Sequence, residues 1–170
     1  MMNKYLISIV GPTGIGKTAL SLELAKQFNT EILSADSRQF FKEIPIGTAA
    51  PTAAELAVAP HHFIHNKSIT DPYSVGSFEK EAIAKLEELF RSKSTVIMVG
   101  GSGLYVDAVI KGFDTFPNVA PELREQLNLE LKAKGLEALQ DELKRLDPKS
   151  YETIALKNPH RVIRALEICY

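Results

Sequence analysis

The run Gly11-Pro12-Thr13-Gly14-Ile15-Gly16-Lys17-Thr18 has the glycine, lysine and hydroxyl spacing of a loop that wraps a di- or triphosphate. It follows an apolar run, Tyr5 to Val10, and opens an apolar helical stretch, the strand, loop and helix context such a loop requires. Glycines at 11, 14 and 16 let successive N–H groups turn inward, the following helix adds positive potential, and Lys17 adds a full charge. All eight residues are expected to line the phosphate site, with Thr18 placed to hold Mg²⁺ bridging two phosphate oxygens. Two further clusters, Asp36-Ser37-Arg38-Gln39 and Gly100-Gly101-Ser102-Gly103, carry the remaining chemistry. A carboxylate at Asp36, across from a loop-bound donor, suits a general base that deprotonates an acceptor; the competing reading is an acid in a turn or at a helix cap. Ser102 has the same two readings: a hydroxyl facing that cleft, or a cap for the next helix.

The chemistry reads as group transfer rather than hydrolysis. A hydrolytic phosphate loop has an acid closing a neighbouring strand, whereas the apolar run 95–99 leads into Gly100-Gly101. No guanine-reading Asn/Thr-Lys-x-Asp motif is present. Near the end of the sequence Lys157, His160, Arg161 and Arg164 make a basic face, opposite Val162, Ala165, Leu166 and Cys169; this is either a solvated surface or a contact for a phosphate or RNA backbone. His61, His62 and His65 have no nearby cysteine, and the segment around Phe63 and Ile64 reads as a short strand, which argues against zinc.

The elements that must position these groups follow from periodicity. Residues 6–10, 31–35 and 95–99 are short β-branched runs predicted to be buried parallel strands. Residues 16–28 form a helix apolar on most sides, as befits a helix behind a sheet. The span 75–91 carries Val75, Phe78, Ala82, Leu86 and Leu89 on one stripe, and a third helix runs from 102 or 103 to 110. Alternating strands and helices predict an α/β fold, a doubly wound parallel sheet with ligands at the carboxyl ends of the strands. Residues 113–121 read as a loop, and 122–134, 136–146 and 160–170 as helices. The expected organisation is therefore a core over 1–113 and a helical insertion lobe over 114–170. With 20 basic and 21 acidic residues, no overall field favours nucleic acid or anionic membrane, so any polyanion is held locally. One cysteine, Cys169, excludes an internal disulfide and fits a reducing compartment; no apolar run is long enough for a membrane span. A soluble, cytoplasmic protein is expected, with Cys169 acting as a small apolar group.

Taken together, these motifs closely resemble the tRNA dimethylallyltransferase (tRNA isopentenyltransferase) family. The resemblance is carried by Gly-Pro-Thr-Gly-Ile-Gly-Lys-Thr at 11–18, Ser-Ala-Asp-Ser-Arg-Gln at 34–39, Ile-Gly-Thr-Ala-Ala-Pro at 46–51, Pro-His-His at 60–62, Asp-Pro-Tyr-Ser-Val at 71–75, Val-Gly-Gly-Ser-Gly-Leu-Tyr at 99–105 and Asn-Pro-His-Arg-Val-Ile-Arg-Ala-Leu-Glu at 158–167. It implies transfer of a dimethylallyl group from dimethylallyl diphosphate to N6 of an adenine beside the anticodon, in tRNAs reading codons that start with U, with diphosphate leaving. It implies that Lys17, the loop and Mg²⁺ at Thr18 stabilise the departing diphosphate, and that Asp36 takes the N6 proton. Ser102, where many members carry threonine, keeps a hydroxyl for orientation. The resemblance also implies tRNA contacts from Asp36, Ser37, Arg38, Gln39, Ser102, Arg124 and the segment His160, Arg161, Val162, Ile163, Arg164, with the target base leaving its stack to enter the cleft. Members of this family are substantially longer, so weak activity or none is expected of these 170 residues alone, as a monomer. The rival readings are a small-molecule kinase using ATP in the same loop, and a phosphate- or RNA-binding module without catalysis.

Overall fold

The computed structural model describes residues 3–112 and 119–170, the side chain of Pro121 apart. Residues 113–118 of the expected loop lie outside the described residues. The chain divides into two compact units, Met1–Phe113 and Asp114–Tyr170.

The first unit contains β1 (Tyr5–Val10), α1 (Lys17–Phe28), β2 (Ile32–Ser34), α2 (Ala53–Leu56), β3 (His61–His62), α3 (Val75–Leu89), β4 (Thr95–Gly100) and α4 (Gly103–Lys111). The strands form one parallel sheet in the order β1-β4-β2-β3. Parallel register fixes which residues share a face, because side chains alternate along a strand. Ile97 of β4 and Ile32 of β2 pack with Ala25 and Leu22 of α1 on one face. Val96 and Met98 pack with Leu33 on the other, under Phe78, Ala82 and Leu86 of α3 and Val106 and Val109 of α4. Helices on both faces make this the doubly wound α/β sheet that the alternation predicted.

Four departures from the sequence reading have physical causes. β1 is half-exposed rather than buried, because among the described strands it has a neighbour, β4, on one side only. For the same reason α1 has only Ser21 and Ala25 fully buried, despite its apolar composition. A fourth strand, β3, occupies residues 61–62, just before the predicted strand segment; its two residues pair with Ile32 and Leu33 and are too few to show a period. The four-residue α2 was not anticipated either, although its capping box is in the sequence. The Thr52 hydroxyl accepts from the Glu55 amide at 3.3 Å, and the Glu55 carboxylate accepts from the Thr52 amide at 2.7 Å.

Beneath the strand ends, aromatic rings hold the functional loops to the core. Phe40, fully buried, stacks on Phe78 at 5.2 Å and meets Tyr73 and Tyr105 at 5.4 Å. Phe63 meets Phe78 edge-on at 5.1 Å. These contacts tie the segment after β2, the segment after β3 and the first turn of α4 to one helix, α3, so that residues 36–39 and 102 stand on a fixed base.

The second unit comprises α5 (Pro121–Lys134), α6 (Leu136–Leu146), α7 (Pro148–Thr153) and α8 (Pro159–Cys169), with no strand among its described residues. Its core joins Leu127, Leu139, Leu143, Val162, Ile163 and Leu166. The short α7 was not anticipated, yet Asp147 caps it by accepting from the Ser150 amide at 3.0 Å, with Pro148 in the first helical position. Asn158 and Pro159 open α8 in the same manner. Cys169 packs against this core, and burial pushes its thiol above the ordinary range, as suits an apolar filler. Among the described residues no helix is long and apolar enough to cross a membrane.

Candidate active site

A cleft of about 200 Å³ opens at the carboxyl ends of the strands in the first unit. Thr13, Gly14, Gly16, Lys17 and Thr18 form one wall, and Ser34, Asp36 and Gln39 another. Gly14 and Gly16 adopt φ of 84° and 94°, conformations in which a side chain would be strained, and this folds the loop so that α1 begins with its amides turned toward it. No side chain caps α1, which leaves those amides as donors at the positive end of the helix. The Lys17 ammonium donates to the Pro12 carbonyl at 2.8 Å, across the mouth of its own loop.

Asp36 sits two residues past β2, where the Ala35 amide still bonds the Val99 carbonyl at 2.8 Å. One of its oxygens accepts from the Arg38 amide at 3.1 Å, so the turn reading and the cleft reading describe the same side chain. Its second oxygen lies over Gly101, 3.6 Å from where a β-carbon on that residue would stand. Ser102 makes no capping bond to α4; its hydroxyl accepts from the Ser37 amide at 3.0 Å and donates to the Ser37 hydroxyl at 3.1 Å. Ser102 is therefore a clasp between the turns after β2 and β4, bonded to Ser37, the residue that follows Asp36, and itself outside the cleft lining. Gln39 has a tethering role that sequence reasoning missed: its amide donates to the carbonyls of Thr48 and Ala49 at 3.2 and 3.0 Å and accepts from Ser34 at 2.8 Å, which fixes the loop carrying Ala49 and Pro51 against the cleft. Arg38 is exposed.

Gly100 shows how tightly this end of the sheet is built. A β-carbon there would stand 2.3 Å from the Ala35 carbonyl oxygen, and the backbone cannot yield without moving the residue that precedes Asp36. Gly100→Ala is expected to destabilise the first unit by about 1–3 kcal/mol or more, read as a lowered midpoint in urea, and to cut activity beyond what the lost folded fraction explains.

Among the histidines, His62 reaches the Glu31 carboxylate at 2.7 Å. His61 lines the cleft and sets Nδ1 2.8 Å from the Ala59 carbonyl oxygen.

In the helical unit the candidates separate. His160 and Arg161 are exposed. Val162 and Ile163, named with the segment that the resemblance sets against tRNA, are 0% and 1% exposed and belong to the core, so their side chains are not available for that contact. Arg124 and Arg164 both pair with Glu167, at 3.1 and 2.8 Å, and Glu167 is 2% exposed. Sequence reading set out the basic face of this helix without giving Glu167 a role in it. The available signal was its position four residues after Ile163, on the buried stripe, where a carboxylate is kept only with partners.

Known proteins resemble this chain along nearly all of its length. The IPP transferase family model matches residues 39–170. A tRNA dimethylallyltransferase of Christiangramia forsetii is 59% identical over 168 residues, 99% of this chain and 56% of the relative, and one of Flavobacterium johnsoniae is 56% identical over 98% of this chain and 56% of its own length. These alignments also take in the phosphate loop and Asp36. The full-length tRNA isopentenylpyrophosphate transferase of Bacillus halodurans superposes with a TM-score of 0.64 at 40% identity, over 98% of this chain and 55% of that one. A eukaryotic dimethylallyltransferase captured acting on tRNA gives 0.84 at 28% identity, over 99% and 42%. The chain thus spans about half the length of the curated relatives it matches. With a family model covering more than half of its residues and relatives aligned along nearly all of it, the chain belongs to the IPP transferase family.

Proposed function

We propose that the protein transfers a dimethylallyl group from dimethylallyl diphosphate to N6 of an adenine adjacent to the anticodon, in tRNAs reading codons that start with U, and releases diphosphate. The observation that carries this reading is the shared cleft: the Asp36 carboxylate and the glycine loop with Lys17 face one space, and the strand beside the loop ends in Gly100-Gly101 rather than in an acid. Names of relatives support it, since those proteins are dimethylallyl- or isopentenyl-transferases acting on tRNA.

In this mechanism the bond from the allylic carbon to the diphosphate oxygen breaks as the bond from N6 to that carbon forms. Negative charge grows on the leaving diphosphate, where the loop amides and Lys17 stabilise it. The adenine amine is a poor base whose acidity rises on alkylation, and Asp36 takes its proton. The clasp of Ser102 on Ser37 holds the Asp36 turn in register. The donor set suits Mg²⁺, which takes hydroxyl, carboxylate and phosphate oxygens and keeps water: Thr18 would hold it beside Asp36, and it would supply further charge to the diphosphate. In the helical unit, exposed His160 and Arg161, with Arg124 and Arg164 oriented by Glu167, would contact the tRNA backbone. The protein acts as a cytoplasmic monomer in this reading.

Separate incubation with ATP and with dimethylallyl diphosphate, each with Mg²⁺, distinguishes a transferase from a kinase by which ligand protects against heat; saturation at a hundred times Kd contributes about 2.7 kcal/mol. Protection by dimethylallyl diphosphate and label transfer to unmodified tRNA are expected, slower for this chain than for a full-length relative. Protection by ATP alone would establish the kinase reading instead.

A further inference from the structure

Backbone strain gathers along one wall of the cleft. Among the described residues, four other than glycine have positive φ. Asn29, at 45°, ends α1 in the usual left-handed cap. Ala49, Phe63 and His65, at 49°, 64° and 46°, end no helix. Ala49 lines the cleft, and Phe63 and His65 stand on either side of Ile64, which also lines it. A bulky residue such as phenylalanine holds this conformation only where its surroundings impose it. Here they do: the buried Phe63 ring meets Phe78 edge-on, and the His65 amide donates to the Gln39 carbonyl at 2.8 Å. Gln39 thus holds both segments, because its side chain bonds the Thr48 and Ala49 carbonyls.

What these segments bring to the cleft, together with His61, is largely carbon: Ala49, Pro51 and Ile64, joined by Val99 of β4. Ile64 is half-buried, so its side chain has surface left for a ligand, and its β-branch leaves it little rotamer freedom. Strand order gives the direction. The sequence β1-β4-β2-β3 sets the loop that follows β1 and the turn that follows β3 at opposite edges of the sheet, with Asp36, after β2, between them. A donor with its diphosphate in the loop lays its reacting carbon toward Asp36 and its tail toward Ile64. That tail carries no polar group and gains by leaving water for such a wall. A purine, by contrast, brings polar edges that a carbon wall leaves unpaired.

We propose that Ala49, Pro51, Ile64 and Val99 seat the five-carbon tail of the donor, and that the Ile64 side chain, held between two strained residues, sets the length of prenyl chain that the protein accepts. This rests on the reading of the cleft as a dimethylallyl diphosphate site. Ile64 is a specificity-determining residue in this scheme: it touches the donor away from the bond that breaks and moves no proton.

Inorganic pyrophosphate, dimethylallyl diphosphate and its ten-carbon homologue geranyl diphosphate, each with MgCl₂, are the probes, and heat protection is the readout. Ile64→Ala is expected to raise the dimethylallyl diphosphate concentration giving half-maximal protection about 10-fold, the low end for a lost aliphatic contact. The same substitution lowers the concentration needed of geranyl diphosphate and leaves that of pyrophosphate unchanged, which also shows the variant folded. Ile64→Val, which keeps the branch, stays close to the unsubstituted protein with every probe. Equal shifts for pyrophosphate and dimethylallyl diphosphate make Ile64 a support of the cleft rather than a seat for the tail and overturn the proposal. An unchanged response to geranyl diphosphate overturns it as well. Unchanged protection by dimethylallyl diphosphate with a raised KM for tRNA gives the wall to the purine and likewise overturns it. In each of these cases the diphosphate reading stands, whereas absence of any protection by pyrophosphate removes that reading and this inference with it.

Discussion

Asp36→Asn is expected to lower the rate of dimethylallyl transfer by about 10²- to 10⁴-fold while leaving tRNA affinity and heat protection by dimethylallyl diphosphate close to those of the unsubstituted protein. The substitution suits the question because it changes one property. Asparagine has the same shape, and its carbonyl oxygen can still accept from the Arg38 amide, so the turn that follows β2 survives. The Gln39 amide likewise continues to bond the main-chain carbonyl of residue 36. What disappears is the ability to take a proton. In the proposed reaction the new bond to N6 leaves a cationic nitrogen that must lose hydrogen, and the cleft-lining carboxylate is the acceptor assigned to it. Loss of a negative charge beside a diphosphate site favours donor binding, so undiminished heat protection alongside a slower rate isolates the chemical step. Single-turnover transfer of labelled dimethylallyl to unmodified tRNA measures the chemical step without product release, both in this chain and in a full-length relative with the matching substitution. Undiminished turnover removes Asp36 as base. A rate loss matched by an equal loss of heat protection assigns the carboxylate to holding donor or metal instead.

The parts of this fold that were legible in the sequence are those with a repeating physical constraint. Of the α3 stripe, Phe78, Ala82, Leu86 and Leu89 are buried as its 3.6-residue period predicts, because a helix of this length can hide only one side, while Val75 in the first turn is half-buried. The loop at 11–18 was legible because wrapping a phosphate demands positive φ at particular residues, and glycine supplies it. Short elements escaped for the converse reason: two residues of β3 and four of α2 contain no period, and they exist because neighbours complete their hydrogen bonds. Burial at the sheet edge escaped because it depends on strand order, which composition does not encode.

The site shows the same division. Residue types and spacing located Lys17, Thr18 and Asp36, which line one cleft. They could not locate Gln39 as the tether of residues 48 and 49, nor the Ser102 clasp on Ser37, since both are side-chain bonds across loops whose path is set by tertiary packing. Glu167 is the clearest instance. Charge counting along α8 reads it as the limit of a basic face, whereas the fold buries it and turns it into the anchor for Arg124 and Arg164. An anchored guanidinium has lost part of its rotamer freedom before any RNA arrives, so in the proposed function the same residue would serve both stability and recognition.

Lys17→Met is expected to cost about 10²- to 10³-fold in transfer rate, the loss typical of one donor aimed at developing charge. Methionine keeps most of the apolar stem and removes the ammonium. In the folded loop that ammonium bonds the Pro12 carbonyl, so the lysine also helps shape the loop that it serves. The two contributions separate experimentally. If loop shape is the main loss, Lys17→Arg, which can still donate to a carbonyl, restores activity. If charge placement dominates, Lys17→Arg stays impaired, because a wide planar guanidinium does not deliver a point charge to the place an ammonium occupies. We expect the second result. The kinetic constants sharpen it further: charge on the leaving diphosphate grows as the allylic bond breaks, so a group matched to that growth lowers kcat more than it raises the KM for dimethylallyl diphosphate. A variant with raised KM and unchanged kcat would show Lys17 gripping the donor equally before and during the reaction, and would shift the stabilisation of the departing charge to the loop amides and the ion at Thr18.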